Sequence, residues 1–241
     1  RRSIRGRFMQ FTRRLTPGRL VTRYKRFFAD VELDTGETVV SHCPNPGKML
    51  GLLSAGTPAL LTRITDPKKK LGWRLEALRE GETWVGVNTQ WPNRLIPQAI
   101  RDGLIPSLNG YALMRPEVRY GHNSRIDWLL QNGSGPDVWV EIKNVHLSRT
   151  PGLAEFPDCV TDRGARHLRE LSERVAAGDR ACVVFCVQRD DVRRFDVARD
   201  IDPAFGRAFD DARTAGVEVF ALAYSVSADG IRYSHSVEVA P

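Results

Sequence analysis

The chain predicts a two-part α+β protein, a small β-barrel or sandwich followed by an α/β domain with a mixed sheet. Three observations lead there. Over roughly ninety residues, short apolar and β-branched runs alternate with Gly, Pro and Asp turn signals. From about Tyr111, strand-like runs alternate instead with amphipathic helical patterns. At 241 residues, without internal repeat or low-complexity segment, the chain can bury a sizeable core in one large domain or two small ones.

Residues 1–18 read as a basic N-terminal segment, partly extension, with four arginines standing before Met9. Residues 1–26 carry ten Lys or Arg and no acid, while the rest of the chain holds 26 basic and 29 acidic residues. The formal charge of +7 therefore sits at the N-terminus. Such a segment points to a polyanionic partner, nucleic acid ahead of a membrane surface, because no amphipathic apolar face accompanies the charge.

The barrel spans 19–90. Arg19 to Leu33 reads as a strand pair or one bent strand, turning at Asp34-Thr35-Gly36-Glu37 into Thr38–Ser41. After a Pro- and Gly-rich loop, His42 to Lys48, come strands over Pro58–Ile64, Trp73–Leu78 and Trp84–Thr89. Asp66-Pro67 and the run Lys68-Lys69-Lys70 mark an exposed connection. A five-stranded OB-type barrel fits this pattern, and such barrels commonly bind single strands. Residues 91–110 form a linker, with a short helix around Pro97 to Arg101 ending at Gly103.

Residues 111–241 form the second domain, and its chemistry lies between Glu117 and Lys143. Val138, Val140 and Ile142 alternate as one face of a half-buried strand, leaving Trp139, Glu141 and Lys143 on the other. Asp127 stands in its own apolar run, where a bare carboxylate is costly unless paired or bound to a cation. Two strands joined by the Asn132–Asp137 turn would bring Asp127 near Glu141 and Lys143. That set suits a hard divalent cation with a lysine beside it to orient water or steady a phosphate. The alternative is a solvated face of alternating Glu and Lys.

The next helix runs from about Asp162 to Ala177, with Leu168, Leu171 and Val175 as its buried stripe. Arg163, Arg166 and His167 fall away from that stripe and could grip phosphates. A solvated face with an Arg166–Glu170 pair is the alternative. Gly164 would let a ligand backbone approach closely. Ala181–Val187 reads as a buried strand, and Asp202-Pro203 starts a helix lined by Phe205, Ala208, Phe209 and Ala212. Val217–Tyr224 is the next strand.

The four cysteines, Cys43, Cys159, Cys182 and Cys186, show no C-x-x-C pair, so free core-packed thiols in a reducing cytoplasm are expected. No apolar run reaches membrane-span length, and no secretory h-region opens the chain. His42, Cys43, His122 and His146 are expected in structural loop roles, lacking a second ligand pair at usable spacing.

These residues together resemble the sugar fermentation stimulation protein A family. The matching stretches are Arg23-Tyr24-Lys25-Arg26-Phe27, His42-Cys43-Pro44-Asn45-Pro46-Gly47-Lys48-Met49, Val87-Asn88-Thr89 with Asn93-Arg94, Ser124-Arg125-Ile126-Asp127, Val140-Glu141-Ile142-Lys143, and Phe156-Pro157-Asp158 followed by Thr161–Leu168. They run in order from about Arg19 onward. Pro46 stands where Thr is expected and Arg166 where Lys is commoner. The resemblance implies an N-terminal OB-type domain, a C-terminal domain like the PD-(D/E)xK nucleases, and DNA binding. It places Asp127, Glu141 and Lys143 on the nuclease-like core motif, with Glu117 as an extra acid and Arg163 and Arg166 on the basic helix behind.

Two functions follow. One is a DNA-binding protein, with a role at sugar-metabolism genes implied by the family name. In it Arg23, Lys25, Arg26, Arg94, Arg163 and Arg166 contact phosphate. Tyr24 or Phe27 could stack on a base, against the alternative that both belong to the barrel core. The other is a nuclease in which Asp127 and Glu141 hold Mg²⁺ or Mn²⁺, Glu117 completes the shell and Lys143 orients water. A carbohydrate- or nucleotide-binding regulator ranks last. Homodimerisation is left open, and no membrane partner is expected.

Overall fold

The computed structural model describes residues 8–121 and 124–241; His122 and the arginines before Phe8 lie outside them. In chain order the elements are β1 (Phe8–Gln10), β2 (Thr16–Tyr24), β3 (Phe28–Leu33), β4 (Thr38–His42), β5 (Pro58–Arg63), β6 (Trp73–Glu80), β7 (Thr83–Gly86), α1 (Pro92–Arg101), β8 (Leu113–Tyr120), β9 (Ser124–Gln131), β10 (Val138–Val145), β11 (Leu147–Thr150), β12 (Leu153–Phe156), α2 (Asp162–Ala176), β13 (Arg180–Val187), β14 (Arg194–Val197), α3 (Pro203–Thr214), β15 (Glu218–Val226), β16 (Gly230–Ser236) and β17 (Glu238–Val239).

Strands β2 to β7 form one sheet in the order β4-β3-β2-β5-β6-β7, and β4 also meets β6 at His42 and Arg74, closing it toward a barrel. Alternation sets its core: Ala29, Val31 and Leu33 of β3 point inward onto Leu20, Leu61, Leu75 and Leu78. In β2 the register slips between Leu20 and Thr22, and Val21 is left exposed. The barrel begins at Thr16, and β1 is no free tail. It pairs antiparallel with β16, Phe8 opposite Arg232, at the edge of the C-terminal sheet.

That sheet has seven strands, ordered β1-β16-β15-β13-β10-β9-β8. The central β10, β13 and β15 run parallel and the flanking pairs antiparallel, so the sheet is mixed. Helices α2 and α3 cover one face through Leu168, Leu171, Phe205 and Phe209. Thr161 and Asp202 cap them, accepting from the Gly164 and Phe205 amides.

The other face is covered by α1 and by barrel residues Leu60 and Ala77, which pack with Val138, Val140, Ile142, Cys182 and Val184. This corrects the half-buried strand. Trp139 and Glu141 are 8% and 3% exposed, because α2 lies over the face expected to meet water. Helix α1 starts at Pro92 rather than near Pro97, which sits buried in mid-helix.

Barrel and sheet also share hydrogen bonds. The Gly86 amide donates to the Gln188 carbonyl at 2.8 Å, the Gln188 side chain donates to the Asn88 carbonyl at 2.9 Å, and the Met49 amide donates to Asp158 at 2.7 Å. A Cβ on Gly86 would lie 2.3 Å from the Gln188 side chain, so this contact requires glycine. All four cysteines are free, with Cys159 only half-buried. No helix among the described residues is long and apolar enough to cross a membrane.

Candidate metal and nucleic-acid site

Strand β10 carries Glu141 and Lys143 toward α2, and β9 carries Asp127 beside them. The β9–β10 ladder pairs Val138 to Val140 with Leu130 to Trp128. Past it, the Asp127 side chain takes over as acceptor. Its Oδ2 receives the Ile142 amide at 2.7 Å and its Oδ1 the Asn93 side chain at 3.2 Å. Burial and then the charge of Glu141 push Asp127 up to about 6, against the opposing pull of the Ile142 amide, Lys143 and Asn93.

Glu141 is held from two sides. Its Oε1 receives Lys143 Nζ at 2.7 Å and His167 Nδ1 at 2.5 Å. Burial raises its pKa, but Lys143 and His167 outweigh that and keep it below the ordinary carboxylate value. Arg163 Nε donates to His167 Nε2 at 3.3 Å, so the proton of a neutral imidazole sits on Nδ1 and faces Glu141. Among the described residues Glu141 Oε2 is buried with no partner. Tyr120 and Glu170 stand nearby, each with a buried oxygen that has no partner among the described residues. Burial, then the charges of Glu141, Glu170 and Asp127, raise the Tyr120 hydroxyl well above its usual value.

The residues fit a hard cation. Two carboxylates interact unfavourably, and one keeps a buried free oxygen. Among the described residues no three His, Cys, Asp or Glu side chains gather closely enough to hold an ion. An Mg²⁺ ion, which is usually held by one or two carboxylates plus waters and phosphate oxygens, needs no such trio. Glu117 is therefore not brought into one group with Asp127 and Glu141. It stands exposed on the edge strand β8 at φ +54°, where the pairs Pro116–Trp128 and Val118–Ile126 leave it opposite Asp127.

Other expected residues divide. Lys25 and Arg26 are exposed at the β2–β3 turn, both at positive φ. Arg94 is exposed over the Trp91 ring at 5.3 Å, and Arg163 and Arg166 are exposed on α2. Arg23 differs, because its guanidinium donates to the Asn45, Gly47 and Arg26 carbonyls and clamps the His42–Lys48 loop. His167 is 3% exposed and braces Glu141 instead of gripping phosphate. Glu170, expected beside Arg166 on a solvated face, is 5% exposed beneath the helix. Gly164 makes room within the protein, since a Cβ there would meet Thr161 at 2.9 Å and Phe205 at 3.2 Å. Tyr24 and Phe27 are 37% and 46% exposed rather than core.

Sequence reasoning missed Tyr120, Glu170 and the bracing role of His167. One signal was present: Gly164, His167 and Leu171 fall at helical spacing with Leu168, on the side that packs inward.

A family model for the SfsA N-terminal OB domain matches residues 21–87, and one for the sugar fermentation stimulation protein RE domain matches residues 90–230. The chain belongs to the sugar fermentation stimulation protein (SfsA) family. A homolog of that name from Methylobacterium radiotolerans is 52% identical over 235 residues, 96% of this chain and 98% of the relative. One from Caulobacter vibrioides is 47% identical over 223 residues, 92% and 93% of the two chains. The solved structure of Pyrococcus furiosus SfsA in complex with Ca²⁺ superposes with a TM-score of 0.88 at 25% identity, covering 98% of this chain and 99% of that one. The OB-type barrel and mixed-sheet domain are thus the SfsA architecture.

Proposed function

We propose that this SfsA-family protein binds DNA and seats a phosphodiester against a divalent cation held by Asp127 and Glu141. The observation that carries this is the buried, unpartnered Glu141 Oε2 beside an Asp127 carboxyl destabilised by the same charge. A cation between them relieves both defects. The Ca²⁺ complex of the Pyrococcus furiosus relative supports the choice of ion, since Ca²⁺ and Mg²⁺ both take oxygen ligands. Lys25, Arg26, Arg94, Arg163 and Arg166 supply exposed positive charge for the phosphate backbone. A role at sugar-metabolism genes follows from the family name alone.

Phosphodiester hydrolysis is the second reading, and Lys143 favours it. Its side chain is 13% exposed and its ammonium is fixed to Glu141, where it would orient an attacking water or meet developing negative charge. A bound Mg²⁺ or Mn²⁺ would act as Lewis acid on the phosphate.

Filter binding of duplex DNA across a salt series tests the first reading. Five phosphate contacts predict a slope of log affinity on log salt of about −4 to −5, and Arg163→Glu with Arg166→Glu should flatten it by about 2. A flat salt series overturns DNA binding through these residues. Incubation of single- and double-stranded substrates with Mg²⁺ or Mn²⁺ tests the second, which requires cleavage that Asp127→Ala abolishes.

A further inference from the structure

The barrel carries an exposed aromatic and cationic surface that shares only Lys25 and Arg26 with the phosphate contacts proposed above. At the β2–β3 turn, Lys25 and Arg26 hold φ values of +46° and +63°, which side-chain-bearing residues rarely adopt. The turn leaves Phe27 46% exposed, with its ring against His42 at 6.5 Å and an interplanar angle of 25°. His42 sits where β4 meets β6, opposite Arg74. From there a groove of about 350 Å³ opens, bordered by His42, Lys69, Lys70, Trp73, Arg74 and Gln90.

The charge of this groove is one-sided. Among the described residues no carboxylate lines it. Lys69 and Lys70 are exposed, and neither makes an ion pair among the described residues. Arg74 is tied to Glu76, but that carboxylate is 1% exposed and lies in the barrel. Burial, then Arg74 and Lys69, lower the His42 pKa, which favours the uncharged ring that lies against Phe27.

We propose that this groove takes unpaired bases of single-stranded nucleic acid, which stack on the exposed Phe27 beside it while their phosphates meet Lys69, Lys70 and the Lys25–Arg26 turn. Trp73, with Arg63 4.9 Å over its ring, forms a wall of the groove. Duplex DNA hides its base faces, and aromatic rings beside cations gain most from a strand whose bases are free. Neutral oligosaccharides would leave the cations uncompensated. The proposal rests on the reading that this protein binds nucleic acid, and narrows it to a strand type and a surface.

The test is fluorescence anisotropy with labelled oligothymidylate of about twelve nucleotides and a duplex of equal length, in chelator so that the acid–lysine site is empty of cation. Oligothymidylate should bind more tightly than duplex. Phe27→Ala should weaken oligothymidylate about tenfold and leave duplex unchanged. Lys69→Glu with Lys70→Glu should weaken it and flatten its salt slope by about 1 to 1.5. These side chains are exposed, and circular dichroism will show the fold intact. Equal oligothymidylate binding by wild type and both variants overturns the groove, as does displacement of the oligonucleotide by excess neutral oligosaccharide. Duplex binding that persists in either case leaves the wider nucleic-acid reading standing. Failure to bind either nucleic acid removes both.

Discussion

Replacing Asp127 with Asn should stabilise the protein at neutral pH in the absence of a divalent cation. The carboxyl has an ordinary value of 3.8 and is pushed up to about 6 by burial and by Glu141. Below the lower value it is protonated in folded and unfolded states alike; above the higher it is ionised in both. Between them only the folded state holds the proton. Folding is therefore progressively disfavoured as pH rises from about 4 through 6, and the full penalty above that range is about 3 kcal/mol. Asn carries no charge, and its carbonyl oxygen can still accept the Ile142 amide that now reaches Asp127 at 2.7 Å. The Asn93 amide can rotate to face the new amide.

Melting temperatures measured in chelator from about pH 5 to about pH 8 give the assay. For a chain of this length the penalty corresponds to about 6–10 °C. About half of that penalty is already present at about pH 5, so wild type should lose a further ~1.4 kcal/mol, about 3–5 °C, relative to Asp127→Asn as pH climbs to about 8. Millimolar Mn²⁺ at the upper end should restore wild type more than the variant, because a ligand that binds the folded state raises its melting point. Parallel melting profiles over the whole range, or a variant less stable than wild type at the upper end, would refute the reasoning.

Three further outcomes follow from the same packing. Glu141→Gln should cost about 3–5 kcal/mol in urea unfolding by stranding the Lys143 ammonium, and adding Lys143→Met should recover much of the loss. His167→Gln should weaken Mn²⁺ binding about 10–100-fold by calorimetry, since the imidazole that orients Glu141 is gone, with near-ultraviolet circular dichroism unchanged. Gly164→Ala should lower stability by about 1 kcal/mol or more despite its better helix propensity, because its methyl meets Thr161 and Phe205; a gain in melting temperature would contradict the close packing of α2 on α3.

The sequence by itself determined many of the element types and singled out the candidate site residues. Alternation marked β10, the Asp202-Pro203 start marked α3, and Asp127, Glu141 and Lys143 stood out as charges inside apolar strands. Such signals are local, since side-chain periodicity and cap chemistry act over a few residues. Only the tertiary structure decided what each side chain meets. It put α2 over the Glu141 face, turned His167 and Glu170 inward, gave Arg23 to loop carbonyls and left Tyr24 and Phe27 outside after the slip at Val21. Glu117 stayed on an edge strand instead of joining the other two acids. These outcomes depend on elements distant in the chain, such as α1 and the barrel closing the second face of β10. A periodic pattern states that a face is apolar or charged; what covers it is set by packing between segments the pattern does not link.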